Sequence, residues 1–128
     1  MLPFKKVLTV LELRLKNGVN PYAEWFDGLS ADVAAKVVTA QYRMQLGNLS
    51  NVAWFRGIGE YKIDYGAGWR IYLAKDGIEI VVLLGGGSKK NQQKDIERAI
   101  DLWKQYKKIK ASQRKLKKSM THTTTRNG

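Results

Sequence analysis

Between Val52 and Leu84 the chain falls into four short runs, "VAWFRG" (52–57), "EYKIDY" (60–65), "WRIYLA" (69–74) and "IEIVVLL" (78–84), with only a few residues between them. No other feature limits the possible folds as tightly. Runs of this length, rich in β-branched and aromatic side chains, read as strands. Connections this short join antiparallel neighbours, because a parallel crossover needs a dozen residues or more. Gly66 and Gly68 supply a loop that tolerates positive φ, and Asp76-Gly77 is a hairpin signal. The last run is apolar on both faces, which predicts an interior strand covered by helix on at least one side.

Helical patterns flank this sheet. "KKVLTVLELRLK" predicts an edge strand over roughly 5–15, followed by turn chemistry at Asn17-Gly18. Asn20 as N-cap and Pro21 as first helical residue open a short helix that Gly28 ends. Ser30 and Asp32 cap a longer helix in which Val33, Val37, Ala40 and Met44 recur at helical spacing, with Val38 and Tyr42 as further members and Gly47 as the C-cap. After the sheet, "GGGSKKNQQ" reads as a glycine-rich loop. "KDIERAIDLWKQYKKI" then forms a last helix with Ile96, Ile100 and Trp103 on one stripe. Apolar periodicity stops at Ile109, which predicts a disordered tail. The expectation is an α+β domain over 1–108 and a basic tail over 109–128.

Composition narrows the chemistry. The 128 residues include no cysteine and one histidine, His122, so disulfides, thiolate chemistry and a histidine-based metal site or general base are not expected. The N-terminus is not a convincing signal peptide and no apolar run is long enough to span a membrane; a cytoplasmic protein without membrane attachment is expected. Of the formal charge of +12, nine Lys and Arg lie from Lys104 onward, with no acidic residue among them. A polyanion suits such an arm, since each neutralised phosphate releases counterions. Glu12, Asp27, Asp32 and Asp76 show no metal-ligand spacing and read as caps and turns. "GGGSKK" lacks the spacing of a phosphate-binding P-loop, and Ser88 has no histidine partner.

The strand alternation sorts side chains by face. Glu60, Lys62 and Asp64 share one face, Tyr61, Ile63 and Tyr65 the other; Arg70, Tyr72 and Ala74 lie opposite Trp69, Ile71 and Leu73. With the apolar set toward the helices, the open face presents Glu60, Lys62, Arg70 and Tyr72 as cross-strand neighbours, with Lys89 and Lys90 at the same end. Trp54 and Phe55 alternate, so one packs inward and the other, with Trp54 the candidate, is free to stack on a base.

The ordered segments "EWFDGL", "RMQLGN", "GIGEYKIDYGAGWRIYL" and "VVLLGGGSKKNQQKDIERAIDLW" resemble the RelE/ParE toxin superfamily, and within it the HigB-like, phage-derived addiction module killer branch. The resemblance covers about residues 5–106. Its most specific parts are G-x-x-E-x-[RK]-x-x-x-G-x-G-[YW]-R-[IV]-Y, met from Gly57 to Tyr72, and L-L-x-G-G-x-K-x-x-Q-x-x-D-I, met from Leu83 to Ile96. It implies a RelE-like fold and a toxin of a type II toxin–antitoxin module, neutralised by a helix-turn-helix antitoxin and reaching operator DNA only in that complex. It further implies a metal-independent mRNA endoribonuclease, an mRNA interferase working at the ribosome without a cofactor to inhibit translation and arrest growth. The matching positions are Glu60, Lys62, Arg70, Lys89 and Gln92. Lys62 stands where the family often has arginine, Trp69 where it usually has tyrosine, and the basic tail is longer than typical.

In metal-free cleavage the ribose 2′-oxygen attacks the adjacent phosphorus in line with the departing 5′-oxygen. Arg70, permanently cationic, suits the phosphoryl oxygens. Lys62 or Lys89, crowded by neighbouring cations, is the candidate acid or base, and Glu60 is either an alternative base or the partner that orients Arg70. Tyr72, Lys90, Gln92 and Trp54 are the candidates for substrate contact. Two other classes share the fold and charge: a ParE-like inhibitor of DNA gyrase, and an inactive module that binds nucleic acid through its tail.

Overall fold

The computed structural model describes residues 7–127, with side chains as far as residue 120. Lys5 and Lys6, the start of the expected edge strand, and the side chain of His122 lie outside the described residues. The elements run β1 (Thr9–Glu12), α1 (Pro21–Asp27), α2 (Ala31–Gln45), β2 (Val52–Phe55), β3 (Ile58–Ile63), β4 (Trp69–Asp76), β5 (Ile80–Ser88), a 3₁₀ turn (Lys89–Asn91) and α3 (Gln92–Asn127). The five strands form one mixed sheet in the order β1-β5-β4-β3-β2. β1 pairs parallel with β5, and the other three pairings are antiparallel. This is an α+β architecture with a helix at its C-terminal end.

Local chemistry accounts for the start of α1. Asn20 Oδ1 accepts the Ala23 N–H at 2.9 Å, and Pro21 occupies the first turn, where a missing N–H costs nothing. At α2, by contrast, Ser30 stands at the N-cap without a side-chain cap hydrogen bond, and its Oγ donates to Asp32 Oδ1 at 2.6 Å instead. On α2 the stripe Val33, Val37, Ala40 and Met44 is buried as its spacing predicts, but Val38 and Tyr42 are exposed on the helix's outer side. The four buried positions already fill the width of helix that meets the sheet.

Both faces of the sheet are covered, which corrects the expectation of an open face. Tyr61, Ile63, Ile71, Leu73, Val81 and Leu83 pack beneath α2. On the other face Ile58, Tyr72, Ala74, Val82 and Leu84 pack against Ile96, Ala99 and Leu102 of α3. The last helix needed somewhere to bury its stripe, and the half of this face carrying Tyr72 and Ala74 is apolar enough to receive it.

The glycine-rich segment is strand rather than loop. β5 continues through Gly85, Gly86 and Gly87 to Ser88, with a register shift opposite Tyr72 and Leu73. This bulge adds one residue, so the facing alternation reverses beyond it. Gly86 then lies under the Trp25 ring, where a Cβ would come within 2.5 Å of three ring atoms. Gly87 faces the other way, and its missing Cβ leaves room for the Asp95 carboxylate.

α3 also departs from expectation, running on to Asn127 where a disordered tail is predicted. Alanine, glutamine, lysine, arginine, leucine and methionine dominate residues 110–120, and no glycine or proline interrupts them. Packing on the sheet ends near Lys110, and residues 111–120 are exposed all round. No helix among the described residues is long and apolar enough to cross a membrane.

Candidate functional site

The strand register brings the expected residues together. Glu60 on β3 lies directly across from Tyr72 on β4, and Lys62 directly across from Arg70. β4 in turn sets Arg70 opposite Gly87 and Tyr72 opposite Gly85. Glycines at both positions put no β5 side chain beside Arg70 or Tyr72, and the Asp95 carboxylate of α3 takes the room at Gly87.

Glu60 is the hub. It is 2% exposed, and its Oε2 accepts hydrogen bonds from Tyr72 Oη at 3.1 Å and Gln92 Nε2 at 2.8 Å. Arg70 Nε stands 3.8 Å from the same oxygen, an ion pair without a hydrogen bond. Arg70 is 9% exposed and its Nε–H has no hydrogen-bond partner. Buried donors left unsatisfied are uncommon and ask for a reason. Around this pair the cations are open to solvent: Lys62 beside Arg70 on the sheet, and Lys89 and Lys90 on the 3₁₀ turn that follows β5.

Gly68 joins these parts, and its role was hidden in the sequence, where "GAG" reads only as a loop. Its carbonyl accepts the Lys89 N–H at 2.8 Å. At φ +80° a Cβ there would lie 3.2 Å from Arg70 Nη1 and 3.6 Å from Lys89 Cβ. The loop between β3 and β4 thus brings the guanidinium and the stem of Lys89 to the same small residue. A glycine just before a strand with an arginine two positions on is the trace this role leaves in the sequence.

Two expected substrate contacts are placed elsewhere. Tyr72 is 1% exposed beneath α3, so its ring is not offered for base stacking. Burial, reinforced by the charge of Glu60, pushes its hydroxyl well above the usual phenol range, which keeps it a donor to that carboxylate. Trp54 is 48% exposed but sits across from Gly59, on the α2 face, while Glu60 and Arg70 point to the α3 face. The two-residue turn at Arg56 (φ 52°) and Gly57 (φ 85°) fixes that register, and Phe55 is the residue packed inward on the α3 side. Gln92 reaches the site through Glu60 rather than through open solvent.

Asp95, in the first turn of α3, is pushed above the usual carboxylate range by burial, against a smaller opposite pull from Arg98 and Lys94. It borders a small cavity of about 40 Å³ that also touches Tyr72, Gly85 and Trp25. No group of three or more His, Cys, Asp or Glu among the described residues is arranged to hold a metal ion.

Taken by fold and site, this is a small α+β protein with a cationic sheet end built around a buried Glu–Arg pair. A curated Haemophilus influenzae (strain ATCC 51907 / DSM 11121 / KW20 / Rd) protein, described only as uncharacterized, is 41% identical over 66 residues, which is 51% of this chain and 67% of that protein. The chain belongs to the family of that Haemophilus protein. No family model matches it.

Proposed function

We propose that the chain is a RelE-like, HigB-like toxin of a type II toxin–antitoxin module that cleaves mRNA at the ribosome. The observation that carries this reading is Arg70: a nearly buried guanidinium with an unpartnered Nε–H, tethered by one long ion pair and bracketed by exposed Lys62 and Lys89. A structural ion pair has no use for an unsatisfied donor and two flanking cations. An anion site has use for all three, because a buried guanidinium and two exposed ammonium groups match the charge that spreads over a phosphoryl group in its transition state.

In this reading Arg70 holds the non-bridging oxygens. The 2′-oxygen forms its bond to phosphorus as the bond to the 5′-oxygen breaks, leaving a 2′,3′-cyclic phosphate and a 5′-hydroxyl. Lys62 and Lys89 serve the two proton transfers, one taking the 2′-hydroxyl proton and the other protonating the 5′-oxygen. Glu60, with Tyr72 and Gln92 on its other contacts, orients Arg70; its burial argues against service as the base. Lys90 adds charge at the rim. Nothing in this set is a strong proton-transfer catalyst, so alignment of the message by the ribosome supplies much of the rate. A helix-turn-helix antitoxin covering these cations, and a cytoplasmic location, complete the proposal.

The test is mapping of mRNA 5′ ends in cells after brief induction, comparing the native chain with Arg70→Ala. The reading expects new ends within coding regions that vanish with the substitution. Growth arrest without new RNA ends, accompanied by gyrase-linked DNA breaks, would move the protein to the ParE-like class.

A further inference from the structure

We propose that one side of α3, from Trp103 to Lys118, is a docking strip for the backbone of a single-stranded nucleic acid, separate from the Arg70 face and independent of whether that face cleaves RNA. Trp103, Lys107, Lys110, Arg114 and Lys118 follow one another at intervals of four, three, four and four residues, which places them along one side of the helix over about 22 Å. From Leu102 to the C-terminus the chain has no acidic residue. The acidic group the strip meets is Asp76 at the end of β4, bound by Tyr106 Oη at 2.7 Å and Lys110 Nζ at 2.9 Å.

The strip begins as a cleft, not as a bare helix. Asp76, Trp103, Lys107, Lys110 and Arg114 line a depression of about 290 Å³ where α3 leaves the sheet. Trp103 and Tyr106 stack with centroids 5.2 Å apart and planes at 15°. Lys107 Nζ lies 5.5 Å from the Trp103 ring centre and Lys110 Nζ 5.9 Å from that of Tyr106. The two rings stack on each other with Lys107 and Lys110 over them, so they brace the ammonium groups rather than take up bases, and the line of cations they hold is what the phosphates of a strand need. A lipid surface fits less well, because a membrane-bound helix needs a broad apolar face and the large exposed apolar side chains beyond Lys110 are Leu116 and Met120.

Position separates the strip from the proposed cleavage site. Arg70 lies near the start of β4 and Asp76 at its end, a separation of roughly 20 Å at the rise of a strand. The strip therefore holds a different stretch of the strand, or a different strand, from the one Arg70 holds.

The experiment measures binding of the full chain to fluorescein-labelled oligothymidine, by anisotropy, across a series of salt concentrations. This probe has no 2′-hydroxyl, so it reports the strip without cleavage, and a failure here leaves the nuclease reading untouched. Lys107→Gln/Arg114→Gln changes two exposed side chains of the strip together with Lys118→Gln; Lys36→Gln/Arg43→Gln with Arg14→Gln removes the same charge from exposed positions off α3. The strip variant is expected to flatten the slope of log affinity against log salt by about 2, at about 0.7 for each phosphate no longer neutralised, while the control changes it by less than about 0.5. Equal effects of the two variants would overturn the proposal. So would poly-glutamate competing as well as oligothymidine at equal charge, or binding to phosphatidylserine vesicles in place of oligothymidine.

Discussion

Removing Glu60 tests whether the pair at the centre of the site is held as its geometry indicates. In Glu60→Ala the Arg70 guanidinium, with its side chain 10% exposed, loses its counter-charge, and the buried Tyr72 hydroxyl loses its acceptor. Breaking a buried ion pair from one side costs about 3–5 kcal/mol, much of it the stranded charge. The 3.8 Å separation places the electrostatic part at the low end, while the stranded phenol adds about 1–3 kcal/mol. A total near 4 kcal/mol is a large share of the roughly 5–15 kcal/mol that a domain possesses. Urea unfolding followed by far-UV circular dichroism reads it directly: with a slope of about 2 kcal/mol per molar, the midpoint falls by about 2 M. Adding Arg70→Ala removes the stranded charge, so the double variant should be less destabilised than the sum of the singles, with a coupling of about 1.5–2 kcal/mol. A loss under about 1 kcal/mol in Glu60→Ala, or additive singles, would refute the claim that Glu60 anchors Arg70.

Three further expectations follow from single side chains. Gly86→Ala drives a methyl group into the Trp25 ring; thermal or urea unfolding should show a loss of about 1–3 kcal/mol, and an unchanged midpoint would mean that α1 shifts freely on the sheet. Asp95 titrates at a higher pH in the folded chain than in the unfolded one, so it binds its proton more tightly when folded and its contribution weakens as pH rises through that window. Asp95→Asn should therefore stabilise the fold at neutral pH, the gain disappearing once the pH drops below the ordinary carboxylate range; a gain that persists in acid would contradict this. Trp54→Ala, on the face opposite Arg70, should leave RNA cleavage within about twofold while lowering stability by about 1 kcal/mol as Gly59 loses its cover, and a large drop in cleavage would return Trp54 to the site.

Much of this geometry was legible because a strand alternates with a period of two. That rule alone set Glu60, Lys62, Arg70 and Tyr72 on one face and separated them from Tyr61 and Ile71, while the pairing of Lys62 with Arg70 and of Glu60 with Tyr72 is set by the register. It could not say which face α3 would cover, since Ile96, Ile100 and Trp103 declare an apolar stripe without naming its partner. Tyr72 therefore read as a surface residue and proved to be core. The bulge opposite Tyr72 was hidden for a related reason: three successive glycines carry no side-chain alternation to read, so strand looked like loop. Trp54 depended on the turn at Arg56 and Gly57, where a non-glycine residue at positive φ sets the register, and no propensity announces that. The helical continuation past Ile109 lacked an apolar face, yet its residues favour helix individually.

The most direct test of the central claim is the chemistry of the ends produced when the purified chain acts on message in a translating system. Attack by the 2′-oxygen with Arg70 holding the phosphate leaves 5′-hydroxyl and 2′,3′-cyclic phosphate termini, and Arg70→Ala abolishes them. Termini bearing 5′-phosphate, or cuts that persist in Arg70→Ala, would contradict the account.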